Sequence, residues 1–240
     1  MFVTAVSLCL FAAADGESGP PRPGVVFVVG GIGGLDPLNL SAALTLPCAG
    51  VPHELRNFNW THGVGRPFRD LQDLPHLLAK AGELADAVRA VKAAEPDRPV
   101  YLLGHSAGAM VSLAAAGQLP PGTLERIVLL AAAVSPEYDL RPALRAARGG
   151  IVSFSAVTDW LFLGWGTGQF GTADRVHGPA AGLGGFRPPA DLDDEGRSLY
   201  DKLVQVAWRP EHLLQFRGGL HHSGCMPVFL GTTVAPWLMP

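Results

Sequence analysis

Three residue types that could act together on an acyl group sit in three separate stretches of this chain. Ser106 lies in Gly104-His105-Ser106-Ala107-Gly108, Asp159 in Ser155-Ala156-Val157-Thr158-Asp159-Trp160, and the pair His221-His222 near the C-terminal end. A serine hydroxyl is a poor nucleophile at neutral pH. An imidazole that takes its proton, oriented by a carboxylate that also stabilises the imidazolium, makes it a good one. Small residues around Ser106 suit a strained turn from strand to helix, which lifts the hydroxyl clear at a helix N-terminus where the dipole favours a developing oxyanion. Acyl transfer also needs two backbone N–H donors for that oxyanion. Ala107, directly after the serine, offers one. Ile32, within Gly30-Gly31-Ile32-Gly33-Gly34, offers the other, because the glycines beside it allow close backbone approach. The same glycine run fits a phosphate cradle poorly: no Lys-Ser or Lys-Thr follows it and Gly-x-Gly-x-x-Gly is not formed.

Two of these assignments have rivals. Asp174, in Gly171-Thr172-Ala173-Asp174-Arg175, is a second candidate acid, but it lies deeper in a Gly-rich stretch and farther from a strand end, so Asp159 is preferred. His222 is preferred over His221 because Gly218-Gly219-Leu220 gives the chain room to turn and the farther histidine the freer reach to Ser106. Adjacent residues point in different directions, so one of the two meets the serine. His105 is expected to face away from Ser106 and to pack or hydrogen-bond. His62 reads as an exposed turn residue and Asp36 as the cap of the helix that follows it. Trp160, Phe162, Trp165 and Phe170 suit either an acyl pocket or ordinary core.

The elements that must position these groups follow from hydrophobic pattern. Val25 to Val29, Val100 to Leu103, Arg126 to Val134 and Ile151 to Ala156 are apolar runs, as in strands covered on both faces. His53 to Trp60 alternates like a half-buried strand, and His212 to Arg217 is expected to be the last strand. Leu77, Ala81, Leu84, Val88 and Val91 give helical spacing to Asp73–Ala94, which ends before Pro96. Further helices are expected at Leu38–Leu46, Ala107–Leu119, Pro136–Ala147, Leu192–Ala207 and Val228–Leu238. This alternation predicts an α/β fold with a mostly parallel central sheet and helices on both faces. Ligands then bind beyond the carboxyl ends of the strands, where the glycine run, Ser106, Asp159 and the histidine pair all fall.

The order of elements from Val25 to Leu238, with Gly104-His105-Ser106-Ala107-Gly108, Asp159 and the late histidines, resembles the α/β-hydrolase superfamily. The resemblance implies a catalytic triad and oxyanion hole, carried by Ser106, Asp159, one of His221 and His222, and the N–H groups of Ile32 and Ala107. Two features depart from the family pattern: Gly30-Gly31 stands where His-Gly is frequent, and no strands ahead of Val25 match the two that open larger members. Only Ser135 to Gly150 separates two expected strands where many members insert a cap, so the expected fold is a minimal one without a cap domain. The function so implied is a metal-independent serine hydrolase, free of cofactor, that cleaves a carboxylic ester or thioester through an acyl-enzyme. Transfer of the acyl group to an acceptor other than water is an alternative, as is a fold kept for binding alone.

Composition narrows the rest. The chain has 240 residues, 48% hydrophobic and 16% charged, which excludes disorder and suits one domain over residues 24–240. A net charge of -3 and the lack of any basic run argue against a nucleic-acid partner, leaving a small-molecule or lipid ester as the expected one. Residues 1–23 read as an export segment and spacer: Met1 to Ala14 is nearly all apolar and ends in a small-residue cleavage site, though no Lys or Arg precedes it. A periplasmic or secreted location is therefore expected; the alternative is a cytoplasmic protein in which the same run is an ordinary buried strand or helix. No later segment approaches the ~20 apolar residues that span a membrane. Loss of Cys9 with the export segment would leave Cys48 and Cys225 as a pair able to form a disulfide; two unlinked buried thiols are the equal alternative.

Overall fold

The continuous apolar runs form the middle of one sheet. The structure, a computed structural model, describes residues 23–239; the expected export segment and Cys9 lie outside the described residues. The strands are β1 (Val25–Val29), β2 (Glu54–Asn57), β3 (Val100–His105), β4 (Arg126–Leu130), β5 (Ile151–Phe154) and β6 (Leu203–Val206). They lie in the order β2-β1-β3-β4-β5-β6, every neighbouring pair parallel.

Parallel strands need crossover connections, and these supply the covering helices. The helices are α1 (Pro37–Thr45), α2 (Pro67–Gln72), α3 (Leu74–Ala94), α4 (Gly108–Ala116) and α5 (Arg141–Ala146). A π-helical turn, Trp160–Gly166, then runs into α6 (Thr167–Phe170), followed by α7 (Ala181–Gly184), α8 (Asp194–Tyr200) and α9 (Pro227–Phe229), which continues in tighter and looser turns to Leu238. Alternate side chains of the strands face opposite ways. Val25, Phe27, Leu102, Ile127 and Leu129 meet α3 and α4 on one face; Val26, Val28, Leu103, Val128 and Phe154 meet α1 and the C-terminal helical segment on the other. Register brings Val29 beside Gly104 and His105 beside Leu130, so the loops after β1, β3 and β4 leave the sheet along one edge. Between β4 and β5 the chain carries α5 and no cap domain.

Two expectations are corrected here. The helix expected over Leu192–Ala207 stops at Tyr200, and Leu203–Val206 is the last strand. As an edge strand β6 is only half covered, and its polar Gln205 is used to bind the backbone of Phe186 on both sides, N–H at 2.6 Å and carbonyl at 3.0 Å. His212–Arg217 is not a strand. Pro210 opens a 3-10 turn over Pro210–Gln215, the Arg209 N–H donates to His212 Nδ1 at 3.1 Å, and Leu213, Leu214 and Phe216 face solvent. Of the two readings of the cysteines, a disulfide after export or unlinked thiols, the structure has the second: Cys48, exposed just past α1, and the buried Cys225 are both free, so the disulfide is not formed. No helix among the described residues is long and apolar enough to cross a membrane.

Candidate active site

Ser106 follows β3 in a backbone conformation that non-glycine residues rarely adopt, φ 53°. Hydrogen bonds hold it there: its N–H donates to the Leu130 carbonyl at 3.0 Å, and its own carbonyl accepts from Ala109 and Ala133, both at 3.1 Å. The two glycines of the motif are demanded by space. A Cβ on Gly104 would lie 2.8 Å from Ser112 Oγ, and one on Gly108 would lie 2.3 Å from the carbonyl oxygens of Val29 and Gly30. The turn is thus pressed against the end of β1, with Ala107 at the N-terminus of α4.

His221 Nε2 lies 2.9 Å from Ser106 Oγ, and His221 Nδ1 lies 2.5 Å from Asp159 Oδ2. All three residues are buried. Burial pushes the imidazole of His221 below its ordinary 6.5, against the hydrogen bond to Asp159, which favours the charged form. The expectation for His222 is corrected: its ring is exposed and does not meet the serine. The chain tightens into a 3-10 turn, His221–Cys225, directly after Leu220, so the first histidine lies over Ser106 and the second points outward. His105 fixes that turn by donating from Nε2 to the His221 carbonyl at 3.0 Å. Asp174 is remote from this cluster; it accepts from Ser135 N–H at 2.9 Å and from the hydroxyls of Thr172 and Ser135.

On the other side of the serine runs the loop Gly30–Gly34. A Cβ on Gly31 would lie 3.1 Å from the Ser106 Cβ, so the loop and Ser106 are in contact. Gly31 N–H donates to Asp36 Oδ2 and Gly33 N–H to Asp70 Oδ2, both at 2.8 Å. Among the described residues, the N–H groups of Ile32 and Ala107 have no acceptor. Asp36 also caps α1 through Leu38 N–H at 2.8 Å. Burial would raise its carboxyl, but the charge and hydrogen bond of His105 hold it down at about 2. For His105 burial works the opposite way, and the Cys225 and Asp36 side chains beside it outweigh that and raise it well above 6.5. Both ring nitrogens of His105 face acceptors, as an imidazolium requires.

A cavity of about 370 Å³ opens from Ser106 and His221. One wall is Phe68 and Leu71 of α2; the other is Phe162, Trp165 and Phe170. The α2 wall was not read from the sequence. Its only signals were Pro67 at a helix start and an apolar pair three residues apart. Asp36, His105 and His222 offer atoms within 4.8 Å of one another, a spacing a metal could use. Asp36 and His105 are already committed to each other and to backbone groups, so this set does not fit a metal.

Sheet order, the turn at Ser106 and the loop contacts are those the resemblance to the α/β-hydrolase superfamily implies. A family model described as Hydrolase_4, serine aminopeptidase, S33, matches residues 63–165. No curated protein matches the chain. Among solved structures, a cutinase-like protein from Cryptococcus sp. is 13% identical, with 92% of this chain and 98% of that one covered at a TM-score of 0.47. A predicted CIB-like hydrolase from Thermoplasma acidophilum is also 13% identical, with 92% and 88% covered and a TM-score of 0.48. A serine hydrolase without lid from Xanthomonas campestris is 15% identical, with 86% and 84% covered and a TM-score of 0.43.

Proposed function

We propose that the protein is a serine hydrolase that cleaves carboxylic esters carrying an apolar acyl group, by way of an acyl-enzyme. The observation that carries this reading is the continuous contact from Ser106 Oγ through the His221 ring to Asp159, at 2.9 and 2.5 Å, at the end of an apolar cavity. In the reaction, His221 Nε2 takes the Ser106 proton as Oγ attacks the ester carbon. Asp159 keeps the proton on Nδ1 and stabilises the imidazolium. The carbonyl oxygen gains negative charge, which the N–H groups of Ile32 and Ala107 stabilise. His221 then gives its proton to the leaving alkoxide. Water, deprotonated by the same nitrogen, releases the acid and restores Ser106.

The lining of the cavity favours esters over aminoacyl amides. An aminopeptidase must hold a charged α-amino group, and a cation in an apolar cavity needs a carboxylate partner. Among the cavity-lining residues the polar side chains are Ser106, Thr167 and His221, with no carboxylate. The test is labelling with a fluorophosphonate, which reacts with an activated serine, together with hydrolysis of p-nitrophenyl esters. Labelling and turnover that both vanish in Ser106→Ala are expected. An unlabelled wild-type protein, or activity confined to aminoacyl amides, overturns the proposal.

A further inference from the structure

The loop after β1 is held by more buried polar machinery than the bond-making steps use. Asp36 and Asp70 each accept one N–H of that loop, from Gly31 and Gly33, the residues on either side of Ile32. Each carboxylate is backed by a histidine. Asp36 Oδ2 lies 2.6 Å from His105 Nδ1. Asp70 Oδ1 accepts the His62 backbone N–H at 2.7 Å and lies 2.8 Å from His62 Nδ1. His62, expected to be an exposed turn residue, is instead mostly buried; its other nitrogen is 3.2 Å from Asp73 Oδ2 and its ring stacks on His76 at 3.9 Å.

The chemistry of the loop explains why such a clamp has work to do. Gly33 and Gly34 adopt φ of 85° and 75°, conformations open to glycine but not strongly preferred over others. A donor on so permissive a backbone stabilises an oxyanion well only if its direction is fixed before the reaction. Two carboxylates, one from the loop's own end and one from α2, take up the neighbouring N–H groups and leave that of Ile32 over. Asp70 is 2% exposed and Asp36 is largely buried, so neither grip is weakened by competing water. Through His105, Asp36 also reaches the His221 carbonyl, which ties the oxyanion loop to the turn that carries the base.

We propose that Asp36 and Asp70 are positioning residues of the oxyanion hole: they grip the loop on either side of Ile32 so that its N–H is presented to the reacting carbonyl, with His105 and His62 fixing the two carboxylates. This rests on the reading of Ile32 and Ala107 as the oxyanion donors.

Asp70 gives the cleaner test, because it touches no residue of the triad. In Asp70→Asn the amide can accept from only one of the two sites the carboxylate serves, so either the Gly33 or the His62 grip is lost. Hydrolysis of p-nitrophenyl butyrate is measured for the wild type, Ser106→Ala, Asp70→Asn and His62→Gln, with the rate divided by the active sites titrated in the burst of p-nitrophenol. Asp70→Asn is expected to lower kcat per site by about 10- to 100-fold, the scale of a misplaced catalytic donor, with KM within about twofold. Affinity for a trifluoromethyl ketone, whose serine adduct carries the oxyanion, should fall by a similar factor. His62→Gln should move the same quantities in the same direction by less. A purely structural role would lower the melting temperature and the titratable fraction and leave kcat per site unchanged. Values within about twofold of wild type in the variants that fold overturn the proposal; should Asp70→Asn not fold, His62→Gln decides it. A wild-type protein without esterase activity, or a fully active Ser106→Ala, instead overturns the hydrolase reading and this inference with it.

Discussion

Asp159 accepts the backbone N–H of Phe162 at 3.2 Å through Oδ1, the carboxylate oxygen that does not face His221. One side chain therefore caps the turn that walls the cavity and holds the ring of His221. The two roles separate by substitution. Asp159→Asn can still accept from Phe162 through its amide oxygen but presents the wrong partner to His221 Nδ1. It should leave KM and the fold nearly unchanged and cut kcat by roughly 10⁴, the scale seen when a triad carboxylate is neutralised. Asp159→Ala should lose both roles, with a raised KM and a lower melting temperature added. Equal KM and melting temperature in the two variants would show that the cap does not matter.

The choice between adjacent histidines is tested by separate alanine variants. His221→Ala should lose nearly all turnover, since Ser106 then lacks its base. His222→Ala, which removes an exposed ring, should stay within a few-fold of wild type. The reverse pattern in p-nitrophenyl ester assays would reassign the base.

The pH profile follows from the sign of the shift at His221. The base must be neutral to act, and burial lowers its pKa below 6.5, so the neutral form persists to lower pH than for a free imidazole. Plotted against pH, kcat/KM should rise through an inflection below 6.5 and then hold level through neutral pH. An inflection above 7 would mean that the Asp159 contact outweighs burial in the free enzyme.

Much of the fold was legible because strands covered on both faces leave little freedom in composition: β1, β3, β4 and β5 are runs of Val, Ile, Leu and their like. β6 was not, since an edge strand half open to water can read Leu-Val-Gln-Val directly after a helix without a breaking residue. Ser106, its turn and Asp159, which the structure brings to His221, stand out in the sequence by local spacing. The base was ambiguous because the reach of a histidine depends on how tightly the chain turns after Leu220, and Gly218-Gly219 permits several turns. Asp70 was invisible for a different reason. Its partner Gly33 is 37 positions away, and nothing in the pattern around Pro67–Gln72 marks a residue as facing a distant loop.

The last prediction concerns acyl-chain length. The cavity of about 370 Å³ is bounded, and its walls are rings and small side chains: Phe68 and Leu71 opposite Phe162 and Trp165, with Ala133 also lining it. Each methylene that enters such a space gains about 0.8 kcal/mol, roughly a fourfold step in kcat/KM if the gain is realised in the transition state. The steps should continue from acetate to butyrate and on toward octanoate, then stop once the cavity is full, with palmitate slower because its remainder stays in water. Ala133→Leu should move the optimum to shorter chains, because its side chain takes space that a longer acyl group needs; the backbone there is already tied to Ser106 and Ala173 and need not shift. Measured on a series of p-nitrophenyl esters, a rate that keeps climbing to palmitate, or an optimum unmoved by Ala133→Leu, would place the acyl chain elsewhere, along the exposed Trp160 rather than inside.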